Sequence, residues 1–183
     1  MAYQVFISHS SKDRKLAAMI CSYLEADQIR CWMAPRDILP GKSWPQSIIK
    51  ALGECRVQVL VFSEPANTSP QVAREVERAF SKGLVVVPFR IEKIRPNENL
   101  EYFLSEKHWL DALTPPVEAH LHELRATVSR ILSDAVPPSA PSPADLEADQ
   151  RFEREFPLVS LDEWGHAPRG GWRAMLSRLI AER

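Results

Sequence analysis

The stretch "SPQVAREVERAF", Ser69 to Phe80, holds two acids two positions apart, Glu75 and Glu77, among apolar residues at helical spacing. A fixed carboxylate can move a proton or offset positive charge that develops in a transition state, so either acid is a candidate for chemistry. At about 100° per residue, Val72, Val76, Ala79 and Phe80 form one apolar stripe, and the two glutamates fall on its opposite flanks. Periodicity does not choose between them, and a helix glutamate more often simply faces water. Position along the helix leans toward Glu75, which is nearer the start. Two other stretches hold residues of similar interest. "SHSSKD" offers Ser8, His9 and Ser10, whose hydroxyls and backbone N–H groups can meet a ligand or merely cap a helix. "APRDILPGKSW" offers the cations Arg36 and Lys42 beside Trp44, with Trp32 just before it; the alternative is a solvated loop anchored by buried tryptophan. Metal chemistry is not expected. His120 and His122 stand two apart on a helix and do not share a face, and no cysteine or acid completes a zinc spacing with them or with His108. "RGG" near the end is a turn, not a phosphate-cradling loop.

These residues matter only if the elements around them bring them together. "YQVFIS" reads as a strand ended by a polar cluster, and the helix after it sets Leu16, Ala17, Met19, Ile20, Tyr23 and Leu24 on one face. "IRCWM" is a second strand. The prolines and glycine of "APRDILPGKSWP" then impose a long loop, and a loop of that length usually has a function. "QSIIKALGEC" is a short helix and "VQVLVF" a strand apolar on both faces, as in a sheet covered by helices on each side. "SEPANTSP" is read as a loop leading to the opening helix, with Ser69 as its N-cap and Pro70 at its first position. "LVVVPFRI" is a further strand, "EKIRPNENLEYFLSE" a polar connection, "HWLDA" a last strand and "PPVEAHLHELRATVSRIL" a closing helix. This alternation predicts an α/β fold: a flavodoxin-like, five-stranded parallel sheet with helices on both faces. Ligands of such sheets bind beyond the carboxyl ends of the strands, where the winding reverses, so the segments after the first three strands should meet there.

A chain of 183 residues accommodates one such core and an appendage. The expected division is a domain over residues 1–132, a Pro/Ala/Ser-rich linker over 133–149 and a tail over 150–183. In the tail Trp172, Met175, Leu176, Leu179 and Ile180 define an amphipathic helix that must dock somewhere. Its own domain, a partner, a second copy or a further domain beyond it all remain open. Membrane-surface binding is the weaker reading, because Glu182 and "LEADQRFEREF" dilute the basic charge. A formal net charge of -1 provides no field to draw in nucleic acid, so direct nucleic-acid binding is not expected. The three cysteines, Cys21, Cys31 and Cys55, are odd in number and set in apolar patterns, which reads as buried reduced thiols in a reducing compartment. No apolar run approaches the roughly 20 residues that span a bilayer, and "MAYQVFISHSSK" lacks a secretory layout. The expectation is a cytoplasmic protein without a membrane partner.

Four blocks in order, "VFISHSSKDR", "CWMAPRDILPGKSW", "SEPANTSPQVAREVERAFSKGLVVVPFRIE" and "HWLDALTPPVEAHL", make the first 132 or so residues resemble a prokaryotic Toll/interleukin-1 receptor (TIR) domain. The resemblance implies a flavodoxin-like fold and cleavage of the nicotinamide–ribose bond of NAD+, giving ADP-ribose or a cyclic isomer, with NAD+ as substrate and no separate cofactor. It maps Glu75, in "SPQVARE", onto the catalytic position. Many members carry a tryptophan early in this helix where this chain has Gln71 or Val72, so that aromatic wall is missing or replaced here. Nicotinamide in NAD+ is already a cationic leaving group, so a single carboxylate beside the nascent ribosyl cation suffices, unlike the carboxyl pair of ordinary glycosidases. In such a pocket Ser8, His9 and Ser10 would face phosphate or ribose, Arg36 and Lys42 the pyrophosphate, and Trp44 or Trp32 a ring. The resemblance further implies self-association through TIR domains, with the Pro40–Gly41 bend in a loop that commonly contacts another domain. It also points to antiviral defence signalling in bacteria, downstream of a sensor protein or a fused domain. The alternative is a non-catalytic adaptor acting by TIR–TIR contact alone. A receiver-like signalling domain would need an acidic cluster after the first strand, which "FISHS" lacks.

Overall fold

The computed structural model describes residues 2–105 and 107–134, together with 147, 150 and 151. Most of the expected linker and the whole of the expected tail helix lie outside the described residues, and the closing helix runs on to Asp134, two residues into the expected linker. Five parallel strands, β1 (Val5–Ser8), β2 (Cys31–Trp32), β3 (Val57–Phe62), β4 (Val85–Arg90) and β5 (Leu110–Asp111), form one sheet in the order β2-β1-β3-β4-β5. From β1 the chain steps outward to β2, then returns to the other side of β1 for β3, so the winding reverses between β1 and β3. The predicted fold class is the one observed.

Alternate side chains of each strand feed two separate cores. On one face Val5, Ile7, Val57, Val59, Val61, Val87 and Phe89 pack under α1 (Arg14–Ala26) and α6 (Leu121–Asp134). On the other Phe6, Trp32, Leu60, Phe62 and Val86 pack under α2 (Trp44–Glu54), α4 (Pro70–Ser81) and α5 (Glu98–Leu104). A strand buried on both faces has no polar side to offer, which is why β3 reads as an apolar run. The exception is Gln58, fully buried on the second face.

Two segments read from the sequence as irregular carry short helices. "SEPANTSP" contains α3 (Glu64–Asn67), a single turn capped by Ser63. The expected polar connection before β5 contains α5, because Leu100 and Leu104 fall four apart and both enter the second core. Asn97 caps α5 by accepting from the N–H groups of Asn99 and Leu100, and it also donates its side-chain amide to the Asn67 carbonyl. Asn67 in turn donates to the Arg95 carbonyl at 3.0 Å, so the segments before α4 and before α5 are laced together. Asn97→Ala loses the cap and the lacing, and is expected to cost about 1 to 2 kcal/mol in urea unfolding.

Helix α4 begins as its sequence predicts. Ser69 accepts from the Val72 N–H and Pro70 occupies the first position. Its C-terminus closes when Leu84 N–H reaches the Ala79 carbonyl, with Gly83 at φ 72° in the left-handed region that favours glycine. That closure turns the chain directly into β4. Phe80, expected on the buried stripe, instead stands 44% exposed against Tyr102 and Phe103 of α5.

Candidate active site

Helix α4 lies across the second face of the sheet with Val72, Val76 and Ala79 in the core, and this sets the fate of the two flanking acids. Glu77 is exposed. Glu75 is turned inward and only 3% exposed, at the carboxyl end of β1. Its Oε2 accepts a hydrogen bond from the hydroxyl of Ser8, the last residue of β1, and its Oε1 accepts from the Gln71 side-chain amide at 3.1 Å, one helical turn back. Ser8 pairs with Leu60 of β3 in register, so this acid is held where the winding reverses.

Burial disfavours the charged form of Glu75 more than its two hydrogen bonds favour it, and the carboxyl is raised to about 7. Near neutrality it is thus divided between acid and carboxylate. A buried carboxyl with a perturbed pKa at the carboxyl edge of an open α/β sheet is what catalytic sites require and what a solvated helix does not produce. His9, next in the chain, is buried too, with Nδ1 3.4 Å from the Ile7 carbonyl; burial, aided by nearby Arg14, lowers it to about 4 and keeps the ring neutral at pH 7. Ser10 caps the 3₁₀ turn Ser11–Asp13 by accepting from the Lys12 N–H at 3.3 Å. Ser63, at the end of β3, donates to Asp13 at 2.6 Å and ties the loop after β1 to that strand.

The second loop is organised differently. Arg36 makes two bonds to the Glu25 carboxylate, one to Asp37 and one of 2.7 Å to the Cys31 carbonyl, which pins the loop against α1 and β2. Its guanidinium is thereby committed to the fold. Lys42 is exposed and lines a groove of about 370 Å³ at the β2 edge, with Tyr3, Trp32, Asp37, Lys50 and Glu54. Glu75, Ser8 and His9 do not line that groove. Trp44 opens α2 and packs half-buried against the second core, while Trp32 stacks on Phe6 with ring centroids 4.9 Å apart. Of the residues singled out from the sequence, the fold therefore joins Ser8 to Glu75, sets His9 and Ser10 alongside, and keeps Arg36, Lys42 and Trp44 with the second loop and α2.

Gln71 is the partner that sequence reasoning did not assign. A signal for it existed, since residues four apart on a helix share a face and a glutamine there reaches a glutamate. The Ser63–Asp13 bond links positions 50 residues apart and had no such signal. Among the described residues no group of three His, Cys, Asp or Glu side chains gathers as for a metal, and no helix is long and apolar enough to cross a membrane.

A family profile described as the TIR domain matches residues 5–125. No curated protein matches the chain by sequence. Among solved structures, the TIR domain of the Toll-related receptor TRR-2 from Hydra magnipapillata aligns with a TM-score of 0.60 at 19% identity, over 69% of this chain and 98% of that one. A metazoan TIR-STING receptor from C. gigas, in complex with 2',3'-cGAMP, aligns at 0.58 and 20% identity, over 75% of this chain and 41% of the receptor. The CMP N-glycosidase BcmB of Clostridium botulinum aligns at 0.50 and 16% identity, over 68% of this chain and 98% of the enzyme. At these identities the likeness is one of fold.

Proposed function

This chain belongs to the TIR domain family, and from that premise we propose that it is an NAD+ glycohydrolase with Glu75 as its single catalytic acid. The observation that carries the proposal is the inward burial of Glu75 between Ser8 and Gln71 at the point where the sheet winding reverses. A solvent-facing helix glutamate has no reason to be there, and burying it works against the stability of the ionised form.

The chemistry follows from the residues. The ionised Glu75 accepts hydrogen bonds from the ribose hydroxyls next to the scissile bond. As nicotinamide leaves with the bonding electron pair, positive charge spreads over the ribose, and the carboxylate stabilises it more than it stabilises bound substrate. Ser8 fixes the carboxylate orientation from β1, and the walls that bury it keep the local dielectric low, which strengthens the attraction. Water, or the adenine of the same molecule, then takes the vacated position and yields ADP-ribose or a cyclic isomer. The C. botulinum enzyme of similar fold acts on an N-glycosidic bond of CMP, so this kind of bond breaking is compatible with the architecture.

Activity that depends on self-association of TIR domains, and a place in antiviral defence signalling, belong to the same proposal. The rival reading is an adaptor that works through TIR–TIR contact alone, and it is favoured by one observation: both Glu75 oxygens are already hydrogen-bonded within the domain. One assay separates the two. Concentrated protein with a crowding agent is incubated with NAD+ and, separately, with CMP, and free nicotinamide and cytosine are followed. Nicotinamide release is expected. Release of cytosine alone moves the assignment to a nucleotide N-glycosidase, and release of neither leaves the adaptor.

A further inference from the structure

The two oxygens of Glu75 are both in use. Ser8 holds one from the end of β1 and Gln71 the other from the first turn of α4, while Glu75 and Gln71 are 3% and 5% exposed. Each oxygen keeps a further lone pair, but with the carboxyl this deeply buried a ribose hydroxyl reaches it only when a neighbouring side chain moves aside. Ser8 has its backbone held by pairing with β3, and only one bond turns its hydroxyl. Gln71 is the movable one: its side chain has several rotatable bonds, and the neighbouring Pro70 at the start of the helix is exposed.

We propose that Gln71 is a stand-in for substrate, its side-chain amide occupying on Glu75 the place that a ribose hydroxyl takes when a nucleotide binds, so that the free domain is closed at its own catalytic acid. This rests on the glycohydrolase reading and extends it to what the substrate must displace. The exchange is balanced in bonds, one N–H donor leaving the carboxylate and one O–H donor arriving. Its effect is a standing competition: every binding event includes the cost of removing Gln71, which weakens substrate binding without altering the transition state relative to the bound complex. Gln71 is therefore a positioning residue that sets affinity.

The test measures nicotinamide release from NAD+ by wild type, Gln71→Ala and Gln71→Met at one protein concentration with the same crowding agent. Thermal melting of each shows that it is folded. A hydrogen bond to a charged group corresponds to a factor of about ten or more. In Gln71→Ala the KM is expected to fall about ten-fold while kcat stays within about two-fold, a split that a purely structural role for Gln71 would not produce. Gln71→Met keeps most of the volume and removes the donor, so a matching fall in its KM assigns the competition to the bond, and a fall in Gln71→Ala alone assigns it to bulk; both support the proposal. Should Gln71→Ala not fold, Gln71→Met decides in its place. A KM that is unchanged or raised in folded Gln71→Ala, or in Gln71→Met where Gln71→Ala does not fold, with the wild type active, overturns the proposal and leaves the glycohydrolase standing. No nicotinamide from any of the three proteins overturns the glycohydrolase reading, and this inference with it.

Discussion

Glu75→Gln is expected to lower nicotinamide release from NAD+ by about 100- to 1000-fold, the usual consequence of removing one preorganised group that meets charge in the transition state. Glutamine keeps the shape and can still bond to Ser8, so the loss isolates the negative charge from the packing. Glu77→Gln, two residues on and exposed, is expected to stay within about two-fold. The pH profile gives the same prediction in another form. The carboxyl is raised to about 7 by burial, and only its ionised form stabilises a ribosyl cation. Hence kcat/KM should fall about ten-fold per pH unit below that value and level off above it. The cationic nicotinamide favours ionisation once bound, so kcat should hold to a lower pH than kcat/KM does. Equal activity in wild type and Glu75→Gln would falsify the assignment, whatever the pH.

The same substitution should stabilise the protein, and more so in alkali. Glu75 has its carboxyl raised from 4.5 to about 7 on folding. Between those values the folded chain keeps a proton that the unfolded chain has lost, so stability falls as pH rises through the window and is level above it. Over the whole window the difference amounts to about 3 kcal/mol. Glutamine does not titrate. The melting temperature of Glu75→Gln is therefore expected to exceed that of wild type by a margin that is small at pH 5, grows toward pH 7 and then holds. His9 works in the opposite sense: burial lowers its pKa from 6.5 to about 4, so as pH falls through that range the unfolded chain gains a proton first and stability declines. Both proteins contain His9, and the difference between their melting curves removes its contribution. A margin that does not change with pH would show that Glu75 is hydrated in the folded protein. A site that gains activity from a group that costs stability is the pattern expected of catalysis rather than of scaffold.

Much of this architecture was legible in the chain. Alternating apolar strands and amphipathic helices predicted the doubly wound sheet, and each predicted strand is present in it. Ser69 and Pro70 set the start of α4 from local chemistry alone. What failed did so for identifiable reasons. Helix α5 was hidden because it is only seven residues long, with Leu100 and Leu104 fully buried and Phe103 partly so, too short a run to stand out as a period. The Arg36–Glu25 ion pair likewise had no signal in the sequence, because the two lie 11 residues apart and nothing local brings them together.

The two glutamates mark the boundary between the two kinds of knowledge. Helical spacing assigned Glu75 and Glu77 to opposite flanks of one stripe, and the likeness to TIR domains favoured Glu75, but an angle on a helix says nothing about what covers that flank. Only the packing of α4 against β1 supplied the Ser8 hydroxyl on one side, while the other flank was left to water. Local sequence determines periodicity, caps and turns because those depend on neighbours along the chain. Burial, pKa and the company a side chain keeps depend on neighbours 67 residues away, as Ser8 is from Glu75, and these exist only once the sheet has formed.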